Sequence, residues 1–549
     1  MYMQISQKFS KCFRYMFYRT PIPSSPEAIT LERTGSAEGI FRIKKNWLRK
    51  SESGLWEMYL EGDGFERGAI AGKLTAELAE KKEKAFTDQI NKMIPSKWIQ
   101  FYLKAIIIFF SRHLKKHIPE EYLQEIYGAS LSASDKFDTI APKFYRALLY
   151  HSAHDIGHVL SNKVIVAGCT SFGVWSEKSA DGALLIGRNF DFYAGDAFAE
   201  EKLVSFINSK FGYKFMSISW VGMVGVVSGM NERGLTITIN AAESKLPKTA
   251  ATPISILARE ILQYAKNIDE ALVIAKSRKT FVSESLMIGS AEDGKVILIE
   301  KTPLQIELFE TEQQGYVTCT NHYQSKSFLK DKINRDNIEK SASLYRFTRL
   351  NQLLSKYSKI DIVEAAEILR DQKGIDDCNI GLGNEKTLNS LVAHHAVIFK
   401  PNELKAWVST APFQLGKFVC YDLNKIFFET PLQNENKEIY ELNQTIAEDG
   451  FLNQKEFTNY LEYKRECEKI KNSLKQKPQI VLSSSDISNF TSLNPEYFET
   501  YLTIGKYFEQ GGQAKEAIKY FNLALTKETP RIEDREGLQN RIIKLTKNG

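Results

Sequence analysis

The chain has 549 residues, 43% of them hydrophobic, with a formal net charge of +6 at pH 7. Spread over this length, that charge argues neither for nor against a nucleic-acid or membrane partner, and no nucleic-acid partner is expected. Six cysteines (Cys12, Cys169, Cys319, Cys378, Cys420 and Cys467) include no Cys-x-x-Cys pair, which excludes zinc-ribbon and thioredoxin-like readings.

Residues 1–53 read as an irregular, Ser/Pro-bearing extension. Its start is basic and aromatic but lacks the apolar run of a signal peptide. The most apolar later run, Phe101–Phe110, is shorter than the roughly 20 residues that span a bilayer and reads as buried helix. The compartment, exported or cytoplasmic, is left open. Residues 54–168 begin with a strand-like piece and then turn helical, with apolar residues recurring at threes and fours.

From Val164 to about residue 425 the pattern changes to hairpins. Strand-like runs flank Asp181-Gly182, Asn231 to Gly234, Asp293-Gly294 and a Pro-Asn turn after Lys400. Thr252 then Pro253 reads as an N-cap and first-turn proline opening one amphipathic helix, and "ASLYRFTRLNQLLSKY" reads as another. Hairpins with segregated helices predict an α+β layered sandwich.

Residues 431–495 read as a helical linker. In residues 496–549, Ile504, Gly505, Phe508, Ala517, Phe521 and Ala524 match the small and large positions of a single tetratricopeptide-like hairpin, followed by a capping helix. One repeat cannot bury its own face, so this TPR-like tail is expected to dock onto the body. A protein contact through 496–549 is the partner reading it leaves open.

Cys169 stands alone between Gly168 and Thr170 at the start of the first hairpin. A cysteine at a chain terminus has a free α-amine of pKa roughly 8 beside its thiol, and that amine can act as general base without a histidine. An internal cysteine gains it only if the preceding bond is cut. Gly168 is small and suits a bond open to attack by the neighbouring thiol.

Five blocks, "GCTSF" (Gly168–Phe172), "DGALLIGRNFDF" (Asp181–Phe192), "GMNERGLTITIN" (Gly229–Asn240), "VTCTNHY" (Val317–Tyr323) and "SLYRFTRL" (Ser343–Leu350), stand in an order that resembles a known family. It is that of the N-terminal-nucleophile (Ntn) hydrolases of the peptidase C45 group. That group includes the acyl-CoA:6-aminopenicillanic acid acyltransferases and is related to choloylglycine hydrolases and acid ceramidases. The resemblance covers about residues 54 to 425.

It implies a four-layered αββα sandwich over residues 169–430, with residues 54–168 as a prosegment cleaved between Gly168 and Cys169 and retained. It implies Cys169 as nucleophile and its freed amine as base. Arg188 and Asp191 would hold the thiolate and the amine. Asn240 would donate to the developing oxyanion, Asn321 would contact the amine or substrate carbonyl, and Arg346 would brace the site. The activity implied is amide hydrolysis or acyl transfer on a small-molecule acyl amide or thioester, with no cofactor and no metal. The residues leave two other readings open: an ester or N-acyl lipid hydrolase on the same scaffold, and an inactive scaffold binding partners through its tail.

Each residue also has a structural reading. A buried cysteine is commonly a small hydrophobe, Arg188 and Asp191 could pair at the surface, and either asparagine could cap a turn. His151, His154 and His158 share a helical face without a fourth ligand. His394 and His395 read as lying on a strand and pointing to opposite faces, so they cannot pair on one metal. "EDGFLNQKEF" lacks the alternating ligands of a calcium loop.

Overall fold

Alternating apolar residues build two stacked sheets in the computed structural model, which describes residues 20–548 apart from 36–38, 95, 103, 105–112, 161–165, 194, 244–249, 312–314, 393, 429–436 and 475–480. The first strands are β1 (Thr34–Gly35), β2 (Ile40–Ile43), β3 (Asn46–Lys50) and β4 (Trp56–Gly62). After a helical segment come β5 (Val166–Val174), β6 (Leu185–Tyr193), β7 (Leu203–Ser209), β8 (Phe215–Ser219), β9 (Ser228–Asn231) and β10 (Leu235–Ala241). Then follow β11 (Glu284–Ser290), β12 (Lys295–Lys301), β13 (Ile306–Phe309), β14 (Tyr316–Cys319), β15 (His395–Lys400), β16 (Lys405–Ser409), β17 (Phe418–Asp422) and β18 (Tyr440–Ile446). An eleven-stranded sheet runs β1-β2-β3-β4-β7-β8-β9-β10-β11-β12-β13, and a seven-stranded sheet runs β14-β5-β6-β15-β16-β17-β18.

Turn chemistry sets these registers. Val174 of β5 pairs with Leu185 of β6, and Gly182 between them takes φ 77°. Gly234 joins β9 to β10 at φ 72°, a left-handed conformation that glycine adopts without a Cβ clash.

Three apolar cores give the layer order. Ile186, Phe206, Met230, Leu298, Val397 and Val408 fill the space between the sheets. Ile237, Ile239 and Ile288 pack outward against Ile254, Leu257 and Ile261 of the helix Ile254–Tyr264. Phe172, Leu185 and Ile398 pack outward from the other sheet against Leu350 and Leu354 of the helix Ser343–Lys356 and Leu369 of the helix Ile362–Arg370. The result is a mixed α+β fold with helices outside two facing sheets.

Several local expectations are corrected. Within residues 1–53, the stretch from Thr34 to Lys50 is not irregular, because β1, β2 and β3 extend the larger sheet. These strands have two, four and five residues, too few for alternation to show in sequence. They join the body through β4, which pairs in parallel with β7. A buried bridge from Arg49 to Glu57 reinforces the junction, and Glu57 also accepts from the Tyr421 hydroxyl of β17. Burial raises the Glu57 carboxyl to about 7. Pro253, not Thr252, occupies the cap position of the helix Ile254–Tyr264, and the Thr252 hydroxyl donates instead to the His117 carbonyl. Most of the apolar run 101–110 lies outside the described residues, and no helix among them is long and apolar enough to cross a membrane.

The segment before Cys169 contains an unusually close helix pair. Gly64, Gly68 and Gly72 line one face of the helix Gly64–Leu74, and Gly128 faces them from the helix Glu120–Ser130. A Cβ on Gly68 would lie 2.0 Å from the Glu125 carbonyl oxygen. Gly68→Ala gains about 1 kcal/mol of helix propensity but forces the backbones apart at about 3 kcal/mol. We expect a net loss of about 2 kcal/mol, read as a lower urea midpoint.

The tail forms the helices Phe498–Gln510, Ala514–Leu525 and Ile532–Asn548. Gly505 lets the first two approach, since a Cβ there would lie 2.4 Å from the Phe521 ring. Arg531 pairs with Glu385 and Lys386 with Glu528, so the tail rests on the loop between the helix Ile362–Arg370 and β15.

Candidate active site

Cys169 sits on β5 opposite Phe190 of β6 and is 2% exposed. Alternation along β5 divides the surroundings into two faces. On the inner face, toward the eleven-stranded sheet, lie Cys169, Ser171 and Arg188. On the outer face lie Gly168, Thr170 and Asp191, toward Arg346 of the helix Ser343–Lys356. Both faces grip the Gly168–Cys169 bond.

Arg188 reaches across from β6. Its Nη2 lies 3.7 Å from the Cys169 Sγ and also donates to the Ile239 carbonyl. Its Nη1 donates to the Val227 carbonyl at 2.8 Å and to Ser228. The guanidinium stacks 4.4 Å from the Phe190 ring centre. An adjacent guanidinium favours thiolate, but burial outweighs it here, and Asp191 and Glu284 add opposing negative field. The Cys169 thiol is therefore raised above its usual value and stays protonated at neutral pH.

Asn321 follows β14 and bridges the sheets. Its Oδ1 accepts from the Cys169 backbone N–H at 2.9 Å, and its Nδ2 donates to the Ala241 carbonyl at the end of β10 at 2.8 Å. Arg346 grips the other side. Its Nη1 donates to the Cys169 carbonyl at 2.7 Å and its Nη2 to Asn321 Oδ1 at 2.6 Å.

Asp191 stands against Gly168, where a Cβ would lie 3.3 Å from Asp191 Oδ2. It is buried, and its Oδ1 has no hydrogen-bond partner among the described residues. Burial raises its pKa to about 7, with Arg346 and Arg188 pulling the other way.

Gly168, Cys169, Arg188, Asp191, Asn321 and Arg346 thus converge on one peptide bond. Asn240 stands beside them on β10, but its side-chain bonds run elsewhere. Its Oδ1 accepts from Ser171, and its amide donates to the Cys319 and Thr320 carbonyls at 3.3 Å each.

Sequence reasoning missed Ser171, Thr170, Ser228 and Ser343, whose hydroxyls fix Asn240, Arg346, Arg188 and Asn321 respectively. Ser171 had a signal, since it lies two residues from Cys169 on the same strand face. It also misplaced the two histidines. His395 opens β15 and His394 precedes it, so strand alternation does not separate them, and their Nδ1 atoms lie 3.0 Å apart. His151 has both ring nitrogens occupied, Nδ1 against the Ala147 carbonyl and Nε2 accepting from Val224 N–H. The side chains of His154 and His158 lie outside the described residues.

Comparison with known proteins adds the following. Residues 175–414 match the model of the acyl-coenzyme A:6-aminopenicillanic acid acyl-transferase family. The chain is 23% identical over 418 residues to an uncharacterized protein of Archaeoglobus fulgidus, a match covering 68% of this chain and 67% of that one. It is 24% identical over 274 residues to protein dcd1B of Dictyostelium discoideum, covering 46% of this chain and 52% of that one. Among solved structures, a Caenorhabditis elegans N-acylethanolamine-hydrolyzing acid amidase ortholog aligns with 43% of this chain and 93% of its own, at 15% identity and a TM-score of 0.30. A mutant conjugated bile acid hydrolase of Clostridium perfringens aligns with 47% of this chain and 93% of its own, at 15% identity and a TM-score of 0.34. Over residues 175–414, somewhat less than half of its length, the chain is similar to the acyl-coenzyme A:6-aminopenicillanic acid acyl-transferase family.

Proposed function

We propose that the chain is the precursor of an N-terminal-cysteine amidohydrolase or acyltransferase that cuts its own Gly168–Cys169 bond. One observation carries this reading. The Cys169 backbone nitrogen has one hydrogen, already given to Asn321 Oδ1, yet the buried Asp191 carboxyl beside Gly168 turns its Oδ2 toward that residue and has no partner for its Oδ1 among the described residues. An amide leaves that carboxyl unanswered, whereas a terminal amine or ammonium brings further hydrogens to it. Burying an unsatisfied carboxyl costs stability, which a purely structural site has no reason to retain.

The reaction follows from the positions. In processing, the Cys169 sulfur adds to the Gly168 carbonyl and the C–N bond breaks, releasing the amine and leaving a thioester. Water then frees the Gly168 carboxylate and the thiol. In turnover, the free amine takes the thiol proton and the sulfur adds to a substrate amide carbonyl. The ammonium returns its proton to the leaving amine as the substrate C–N bond breaks. The acyl thioester passes to water or to an acceptor amine. Arg188 steadies the developing thiolate, Asp191 and Asn321 orient the amine, and Arg346 holds the Cys169 carbonyl. Asn240 serves as oxyanion donor once its amide turns from the Cys319 and Thr320 carbonyls, a contribution of roughly 3–4 kcal/mol in comparable sites. The family description supports acyl transfer at amide bonds as the reaction class.

Intact-mass analysis of the purified wild-type protein tests this. Two polypeptides are expected, 1–168 and 169–549, the second beginning at Cys169. A screen of N-acyl amino acids, a penicillin and conjugated bile acids should then release free amine with a trappable acyl-thioester on Cys169. A chain that stays whole after prolonged incubation, with no acyl adduct, points instead to an inert scaffold.

A further inference from the structure

Behind Arg188 a line of hydrogen bonds runs from the thiol into the core. Arg188 Nη1 donates to the Ser228 hydroxyl of β9, so the serine oxygen acts as acceptor there. Its own hydrogen then points to His395 Nε2, 2.8 Å away. That assigns the His395 proton to Nδ1, from which it is donated to His394 Nδ1 at 3.0 Å, and leaves the His394 proton on Nε2. Arg188, Ser228, His394 and His395 are each 0% exposed. His394 ends the line among the rings of Phe190, Phe198 and Trp220.

The direction of this line matters. A neutral His395 with a bare Nε2 accepts from Ser228 and leaves the serine oxygen free to receive Arg188. A cationic His395 would present an N–H to Ser228 and repel the guanidinium. Burial, with the cations of Lys82, Lys202 and Arg188 around the pair, holds both imidazoles neutral. Arg188 needs such a hold, because its Nε has no partner among the described residues and only its two Nη atoms fix its rotation.

We propose that Ser228 and His395, backed by His394, are positioning residues that hold Arg188 against the Cys169 thiol and so set how readily that thiol ionises. The proposal rests on the reading of Cys169 as nucleophile. The other groups whose charge reaches the thiol are Glu284 on β11, Cys319 on β14 and, from the outer face, Asp191 on β6 and Arg346 on the helix Ser343–Lys356. Ser228 and His395 reach the thiol through Arg188, whose Nη2 touches the sulfur while its Nη1 is held by Ser228.

The test compares full-length Ser228→Ala, Ser228→Thr, His395→Phe and His395→Gln with wild type. Two readouts are taken: the pH dependence of Cys169 alkylation by iodoacetamide, followed by peptide mass, and the pH profile of kcat/KM. Ser228→Ala and His395→Phe should move the alkylation curve about one pH unit alkaline, a roughly tenfold loss of thiolate below the midpoint. Threonine and glutamine, which restore the hydroxyl and the acceptor, should return it toward wild type. Curves that coincide in all five proteins overturn the proposal. So does a shift that follows the melting temperature and is not rescued. Alkylation needs no turnover, so an inactive wild type would refute the enzymatic reading while still deciding whether the relay tunes the thiol.

Discussion

Cys169→Ala is expected to give a single polypeptide spanning residues 1–549 and no detectable turnover. The variant removes the sulfur that lies 3.7 Å from Arg188 Nη2 and attacks in both proposed reactions, so neither the first thioester nor the acyl-enzyme can form. Losing a nucleophile that works as a unit with its base costs roughly 10⁵-fold or more. If Cys169 were instead a buried apolar side chain, alanine would cost about 1 kcal/mol of stability and leave chain length unchanged. Denaturing gel electrophoresis and intact mass separate the two outcomes without any knowledge of the substrate. Cys169→Ser adds a graded comparison, because a hydroxyl at the same position can attack but ionises far less readily. It should process slowly where alanine does not process at all.

Asp191→Asn, placed in the uncleaved Cys169→Ala background, is expected to stabilise the protein at pH 8 and to leave it unchanged below about pH 4. The folded precursor raises the Asp191 pKa from 3.8 to about 7 through burial. Between these values the folded state holds a proton that the unfolded chain has released, so the aspartate's contribution to stability falls as pH rises through this window. Above about pH 7 the full penalty applies. Three pH units correspond to about 4 kcal/mol, reduced because asparagine also deprives Arg346 of a charge partner. A gain of about 2–3 kcal/mol at pH 8 is therefore expected from urea unfolding across pH. In the otherwise wild-type chain the same substitution should slow processing and turnover roughly 100-fold, because a neutral amide lacks the charge that steadies an ammonium in a buried site. A gain in stability paired with a loss of activity would identify the carboxyl as retained for chemistry. Equal stability of the two proteins at pH 8 would contradict this account.

The sequence by itself determined the elements whose signals are local. Asn231 to Gly234 specifies a short turn through a left-handed glycine, and Asp181-Gly182 marks the longer loop, residues 175–184, between β5 and β6, so both hairpins were legible. The motif blocks picked out Cys169, Arg188, Asp191, Asn321 and Arg346, which the fold brings together around one peptide bond. Tertiary structure decided what depends on residues distant in the chain. The short strands β1 to β3 exist because β4 finds β7 at a sequence separation of 147, as in Gly62 with Ser209. Asn240 turns its amide to the Cys319 and Thr320 carbonyls because β10 and β14 meet at the site. Ser228 and His395 meet 167 residues apart in sequence, where no periodicity reaches. The thiol's resting state was likewise settled by packing. A guanidinium three residues from an aspartate reads in sequence as thiolate-favouring, but sealing both sheets over Cys169 removes water, and at that burial desolvation outweighs one cation 3.7 Å away.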